Sequence, residues 1–354
     1  MAKFRNSKAF AKKSGLMLLT NQTDVQFKLS PIELCEYLGT LPFWCGDDKL
    51  HKRYSDYQHV AKCCINHIIG LPRHPATNKE MPLTPFQVDF ATKIIKGRLK
   101  FGDAIAQMRK ALLIHLNKAR QMGFTEIVLR IILYLSFSRY AGANVGIIAA
   151  TNGSLAKKDL RRLARMYRYI PGVVEQWIKG NVLCLVNGTV IEAFAASEEA
   201  LTGDTKYKCI FMDEAAKWKL QNDGPVFNSI LPIVRTNGAD LLLVSTPKGP
   251  VKMFYQIHED PQDFELHKYD IWHTEGNLYT KEEIEQMIAS SKEDPEQEYL
   301  CKYKIGRDSI FGIISIEDQQ GKNEWIIDDD DDDIEQVDNY DEEKDVDGIH
   351  WHKY

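Results

Sequence analysis

The chain has 354 residues, 44% of them apolar, and a formal net charge of −5 at pH 7. That length and apolar share support a sizeable core in one large or two ordinary domains, and no apolar run approaches the roughly 18–20 residues that span a membrane. The net charge hides a division: residues 312–354 hold 16 Asp and Glu against 3 Lys, leaving 42 basic and 34 acidic residues over 1–311, so a basic body, suited to a polyanionic partner or to an ordinary solvated surface, precedes a strongly acidic tail.

Residues 1–80 carry mixed helical signals broken by prolines at 31, 42, 72 and 75 and read as a small N-terminal region. The opening MAKFRNSKAFAKKSG is basic but has no apolar stretch behind it, unlike a secretory signal. Seven cysteines with no such leader imply reduced thiols rather than a disulfide framework. Cys35, Cys45, Cys63, Cys64 and His67 raise the question of zinc, but their spacing fits no standard ligand pattern.

A helix is expected over TPFQVDFATKII from Thr84. From about 111 the pattern alternates, with apolar strands at Leu112–Leu116, Val145–Ala150, Val182–Val186, Lys208–Met212 and Leu241–Ser245 and helical stretches between several of them, which predicts an α/β fold with a mostly parallel sheet flanked by helices. Asn187-Gly188 between two apolar runs signals a hairpin. Lys157–Arg168 reads as an amphipathic helix whose face of Lys158, Arg161, Arg162, Arg165 and Arg168 suits DNA phosphates, a neighbouring subunit's nucleotide or plain solvent. Short helices are expected at Lys281–Ser291 and Pro295–Tyr303. Beyond Phe311 periodicity fades, and the tail at 312–354 is expected to be mostly disordered because its charges repel and it has little to bury.

Three segments carry chemistry. LLIHLNKARQMGFTEIVLR (Leu112–Arg130) is an apolar strand, a turn and a helix. A phosphate-binding loop needs backbone N–H groups around phosphate oxygens, a lysine for the outer phosphates and a hydroxyl for Mg²⁺. Gly123 and Thr125 fit, but Phe124 occupies the usual lysine position. Lys118, five residues before Gly123, can enter the pocket from the start of the turn, with Arg120 as a second cation, and Glu126 suits the helix N-terminus. CIFMDEAA places Asp213 and Glu214 at the carboxyl end of a buried strand, where open α/β sheets bind ligands. Asp213 suits a Mg²⁺ shell, and Glu214 suits orienting and deprotonating a water. LLLVSTPKGP ends a third strand in Ser245-Thr246-Pro247, whose hydroxyls suit a γ-phosphate or an attacking water.

In this order the three segments resemble the ATPase domain of viral large terminase subunits of the tailed-phage type, P-loop motors that drive DNA into preformed capsids. That family tolerates a lysine early in the turn, which matches Lys118 and accounts for Phe124. Leu83-Thr84-Pro85-Phe86-Gln87 resembles its adenine-contacting element, with Gln87 the candidate. AASEEALTGDTKYKCIFMDEAA resembles its run into the acidic strand, and Pro295–Leu300 its closing ATPase segment. The resemblance covers roughly 83–311 and implies a P-loop NTPase-like domain over 81–311. It implies ATP held by Gln87 and the turn Lys118, Ala119, Arg120, Gln121, Met122, Gly123, Phe124 and Thr125, with Ser245 and Thr246 nearby. Lys118 and Arg120 are expected on phosphates, Thr125 and Asp213 on Mg²⁺, and Glu214 as the catalytic carboxylate, while Ser245-Thr246-Pro247 couples hydrolysis to movement.

The implied partners are double-stranded DNA, a portal protein, a small terminase subunit and other copies of the chain in a ring, with no membrane. The implied place is the host cytoplasm, at the procapsid portal. One departure stands out. Large terminases usually add a ribonuclease-H-like nuclease, and the 43 residues after Phe311 are too few for that fold. The motor half alone is therefore expected, with any nuclease on a separate chain, absent or lost by truncation. A helicase-like remodeller and a degenerate nucleotide-binding scaffold are the competing readings, the second kept open by Phe124.

Overall fold

The computed structural model describes residues 30–46, 64–74, 77–96, 111–149, 153–170, 176–178, 180–197, 207–250 and 252–304. The chain divides into two compact units, Met1–Gly306 and Arg307–Tyr354. The second unit, and with it the acidic tail expected to be disordered, lies outside the described residues.

Eight strands form one sheet: β1 (Leu113–Lys118), β2 (Asn144–Ala149), β3 (Gln176–Ile178), β4 (Val182–Cys184), β5 (Val190–Ala195), β6 (Tyr207–Asp213), β7 (Asp240–Ser245) and β8 (Glu265–Tyr269). Their order is β3-β4-β5-β2-β6-β7-β1-β8. From β5 to β8 every neighbouring pair is parallel, and β4 runs antiparallel to both β3 and β5. The Asn187-Gly188 turn closes the β4–β5 hairpin, with Gly188 at φ +84° and Leu185 N–H donating to Thr189 O at 2.8 Å. The helices used below are α1 (Pro31–Leu38), α2 (Ile65–Ile68), α3 (Pro85–Lys96), α4 (Phe124–Ser136), α5 (Ser154–Arg168), α6 (Leu220–Asn237), α7 (Met253–Glu259), α8 (Lys281–Ala289) and α9 (Pro295–Glu298).

The apolar runs form strands because both sheet faces are covered. Alternate residues of one strand serve opposite layers: Cys209 and Phe211 of β6 pack with α4 and α5, while Ile210 and Met212 pack with α6 and α7. Helix α4 is apolar on almost every side, which suits an element enclosed by others. It is buried from Ile127 through Leu133 within one cluster that includes Phe90 of α3 and Leu160 of α5. The N-terminal region contributes to the same cluster through Leu34 and Leu38 of α1 and Ile65 and Ile68 of α2. Because β6, β7 and β1 are neighbours, the carboxyl ends carrying Asp213, Ser245 and Lys118 lie side by side.

His115 of β1 is fully buried, stacked on Phe254 at 3.9 Å between centroids, with Nε2 2.9 Å from Phe254 O. Burial lowers its pKa from 6.5 to about 4. The unfolded chain takes up this proton first, so the contribution is whole above about pH 6.5 and fades as pH falls towards 4. Its full size is about 3 kcal/mol. In urea unfolding at pH 7 and pH 5, His115→Gln, whose amide can still donate to Phe254 O, is expected to remove that part of the pH slope; an unchanged slope would dismiss this source.

Candidate nucleotide site

The phosphate-binding turn is built where β1 ends. Ala119 N–H donates to Tyr269 O and Arg120 N–H to Glu298 O, both at 2.9 Å, which ties the turn to β8 and α9. Gln121 at φ +61° and Gly123 at φ +73° fold the chain back on itself. Gly123 suits this left-handed backbone because it carries no Cβ, and a Cβ there would lie 2.9 Å from the end of the Gln87 side chain. No side chain caps α4, so the first N–H groups of a thirteen-residue helix are available to an anion.

Phe124 turns away from this end of the helix. Its ring is buried among Phe86, Phe90 and Tyr269, with centroids 5.6, 5.4 and 4.9 Å away. That aromatic packing explains why no lysine occupies the position. The cation comes from the strand side. Lys118 lines the cavity and is largely buried, with Nζ 2.6 Å from Glu214 Oε1 and 3.4 Å from Thr246 Oγ1.

The acidic end is close behind. Thr125 Oγ1 donates to Asp213 Oδ1 at 3.3 Å. Trp218 Nε1 pins the carbonyl of Asp213 at 3.1 Å, and Glu214 follows in the left-handed region at φ +51°, a strained conformation for a non-glycine residue. Burial opposes the charge on Glu214, but Lys118 and then Lys217, whose Nζ is 3.2 Å from Oε2, hold its carboxyl below the ordinary value. Asp213 is pushed up instead, by burial first and then by the negative charges of Asp159 and Glu214.

Asp159, on α5, was not anticipated. It reads in the sequence as one acid in a basic helix, yet it is buried, and its Oδ2 has no hydrogen-bond partner among the described residues. A hydroxyl and buried carboxylates make an oxygen-donor set that suits Mg²⁺.

A cavity of about 510 Å³ opens in front of this arrangement. Lys118, Ala119 and Gln121–Thr125 line it, together with Gln87, the segment Ile69–Arg73, and Arg162, Arg165, Met166 and Tyr169 from α5 and its end. Gln87 is already engaged: its Oε1 accepts from Thr84 N–H at 3.1 Å and its Nε2 donates to Met122 O at 3.0 Å. Two expectations need correction. Arg120 is not brought to the cavity; its guanidinium pairs with Glu298 and lies 3.3 Å from Glu293. Ser245 and Thr246 are fully buried behind it. Ser245 Oγ accepts from Ala216 N–H and donates to Thr246 O, so among the described residues Thr246 is the one of the two that reaches Lys118. Gly249 N–H, just past the Ser-Thr-Pro turn, donates to Gln297 Oε1 at 2.9 Å, so α9 touches both loops. The basic face of α5 is exposed, with Arg162 also near Asp159 (3.4 Å) and Glu126 (3.6 Å).

The model of the T4likevirus-type terminase large subunit, N-terminal part, matches residues 115–318. No curated protein matches the chain. Similar solved structures include the ATPase domain of the Thermus phage P74-26 large terminase, with 19% identity, a TM-score of 0.43 and coverage of 56% of this chain and 89% of that one. The large terminase of a second thermophilic bacteriophage, solved in complex with ADP, has 15% identity, a TM-score of 0.48 and coverage of 62% and 54%. The HK97 bacteriophage large terminase has 14% identity, a TM-score of 0.47 and coverage of 68% and 54%. The chain spans about half the length of these last two proteins.

Proposed function

The chain belongs to the terminase large subunit family of the T4likevirus type, and from that membership we propose that it is an ATP-hydrolysing motor that moves double-stranded DNA into a viral capsid. The observation carrying the site assignment is the convergence of Lys118, Glu214, Thr125 and Asp213 on the uncapped start of α4, with Lys118 Nζ 2.6 Å from Glu214.

In this reading the triphosphate lies along the turn. The free N–H groups of α4 take phosphate oxygens, and Lys118 leaves Glu214 to neutralise the outer phosphates. Glu214 is then free to orient a water and accept its proton. Thr125 and Asp213 would hold Mg²⁺, which would supply charge neutralisation to the phosphoryl group being transferred. The base lies towards Ile69–Leu71, Met166 and Tyr169, and Gln87 acts by fixing the turn through Met122. Arg120 acts through Glu293 and Glu298, and Thr246 passes the displacement of Lys118 to the Ser-Thr-Pro turn and α9. Phe124 buried in its aromatic cluster favours a working site over a degenerate one, because the phosphate cation is supplied from elsewhere.

DNA meets the protein through phosphates, with the exposed lysines and arginines of α5 as the contact face. The further partners proposed are a portal protein, a small terminase subunit and other copies in a ring, at the procapsid in the host cytoplasm. ATP turnover by the full chain, measured without DNA, with duplex and with single strands over a salt series, tests this. Duplex is expected to stimulate turnover, and the stimulation to fall as salt rises. Stimulation by single strands alone would favour a helicase-like remodeller, and absence of turnover in every mixture would remove the motor reading.

A further inference from the structure

Cys45, Cys64 and His67 come together although their spacing fits no standard zinc pattern. Cys64 precedes α2 as its N-cap residue and His67 lies in its last turn. They flank a single helical turn, which brings their ligand atoms together. The loop carrying Cys45 is fastened to α2 by two hydrogen bonds, Ile65 N–H to Pro42 O at 3.0 Å and Asn66 Nδ2 to Phe43 O at 2.7 Å. Cys45 Sγ thereby lies 3.7 Å from His67 Nδ1, and the three ligand atoms lie within 4.8 Å of one another. Sulfur and nitrogen bound to one tetrahedral zinc, at about 2.3 and 2.0 Å, are about 3.5 Å apart.

We propose that Cys45, Cys64 and His67 bind a zinc ion. Two thiolates and a neutral imidazole are the soft and borderline donors that zinc prefers to magnesium. The cysteines give up their protons to solvent on binding, and their two negative charges cancel the two positive charges of the ion, which makes the site tolerable beside the buried Cys64. The fourth position is left to water.

The ion closes the loop at 41–46 onto α2 at a structural crossroads. Asn66 Oδ1 accepts from Arg130 Nη1 at 3.0 Å, and the same nitrogen donates to Gly70 O at 2.6 Å. Arg130 belongs to α4, and the segment Ile69–Arg73 walls the cavity. The zinc therefore braces the wall of the proposed nucleotide site. That consequence rests on the functional reading above, whereas the metal site itself does not.

The test uses the full chain, with zinc content measured after purification and cobalt(II) titrated into the metal-stripped protein. One zinc per chain is expected, with thiolate-to-cobalt charge transfer and the intense visible bands of tetrahedral cobalt. Cys45→Ser is expected to weaken binding by at least about ten-fold, the cost of losing even an outer partner, and Cys184→Ser to leave it unchanged. A chelator should lower the thermal midpoint of the parent chain but not that of Cys45→Ser. No zinc and no thiolate–cobalt band, a Cys45–Cys64 disulfide in the purified chain, or equal losses in the two variants would overturn the proposal. Metal binding is read without nucleotide, so failure of the ATPase reading leaves this result interpretable.

Discussion

Lys118→Ala is expected to lower kcat/KM for ATP by about 10²–10³-fold, the usual loss when a preorganised group stabilising phosphoryl or oxyanion charge is removed. The reason is positional. Phe124 fills the place from which a lysine normally serves the outer phosphates, and its ring is held by Phe86, Phe90 and Tyr269. Arg120 is paired with Glu293 and Glu298 outside the cavity. Among the described residues, Lys118 is the cation that both lines the cavity and touches Glu214, the carboxylate proposed to act on water. Arg120→Ala is therefore expected to cost less, and Lys93→Ala, which removes an exposed partner of Asp89, to stay near the parent value. Steady-state turnover of the three variants, with folding checked by thermal melting, decides the matter: equal small losses for Lys118→Ala and Lys93→Ala would remove the lysine from its role.

Glu214→Gln should keep nucleotide affinity within a few-fold while turnover falls about 10²–10⁴-fold, the range for a lost general base. The amide preserves size and still offers an oxygen to Lys118, so the local fold has little reason to change. What it removes is basicity. In the free protein Lys118 and Lys217 keep Glu214 ionised against its burial. When Lys118 moves to phosphate, burial is opposed mainly by Lys217, and the carboxylate becomes a better proton acceptor. Binding of a fluorescent ATP analogue beside single-turnover hydrolysis separates the two effects. Turnover at the parent rate would take Glu214 out of the chemistry, and loss of binding would make it a structural residue.

Much of this was legible in the chain. Strands β1, β2, β6 and β7 announce themselves as apolar runs because a parallel sheet covered on both faces needs no alternation, and the motifs at Lys118–Thr125 and Asp213–Glu214 are local in sequence. What remained hidden depended on distant partners. β8 is an edge strand with three of its five residues exposed, so its sequence, ELHKY, carries no apolar run. Arg120 looks like a phosphate ligand until residues 293 and 298 claim it. Asp159 looks like a solvated charge, since only the packing of α5 against β5, β2 and α4 buries it. Cys45, Cys64 and His67 are joined by hydrogen bonds between a loop and a one-turn helix, which no ligand spacing encodes.

The most direct measurement is a structure of the chain with Mg²⁺ and a slowly hydrolysed ATP analogue. Lys118 Nζ is expected to have left Glu214 and to lie about 3 Å from an outer phosphate oxygen, with Phe124 still in its aromatic cluster. A nucleotide seated in the cavity while Lys118 remains on Glu214, and another cation covers the phosphates, would contradict the assignment.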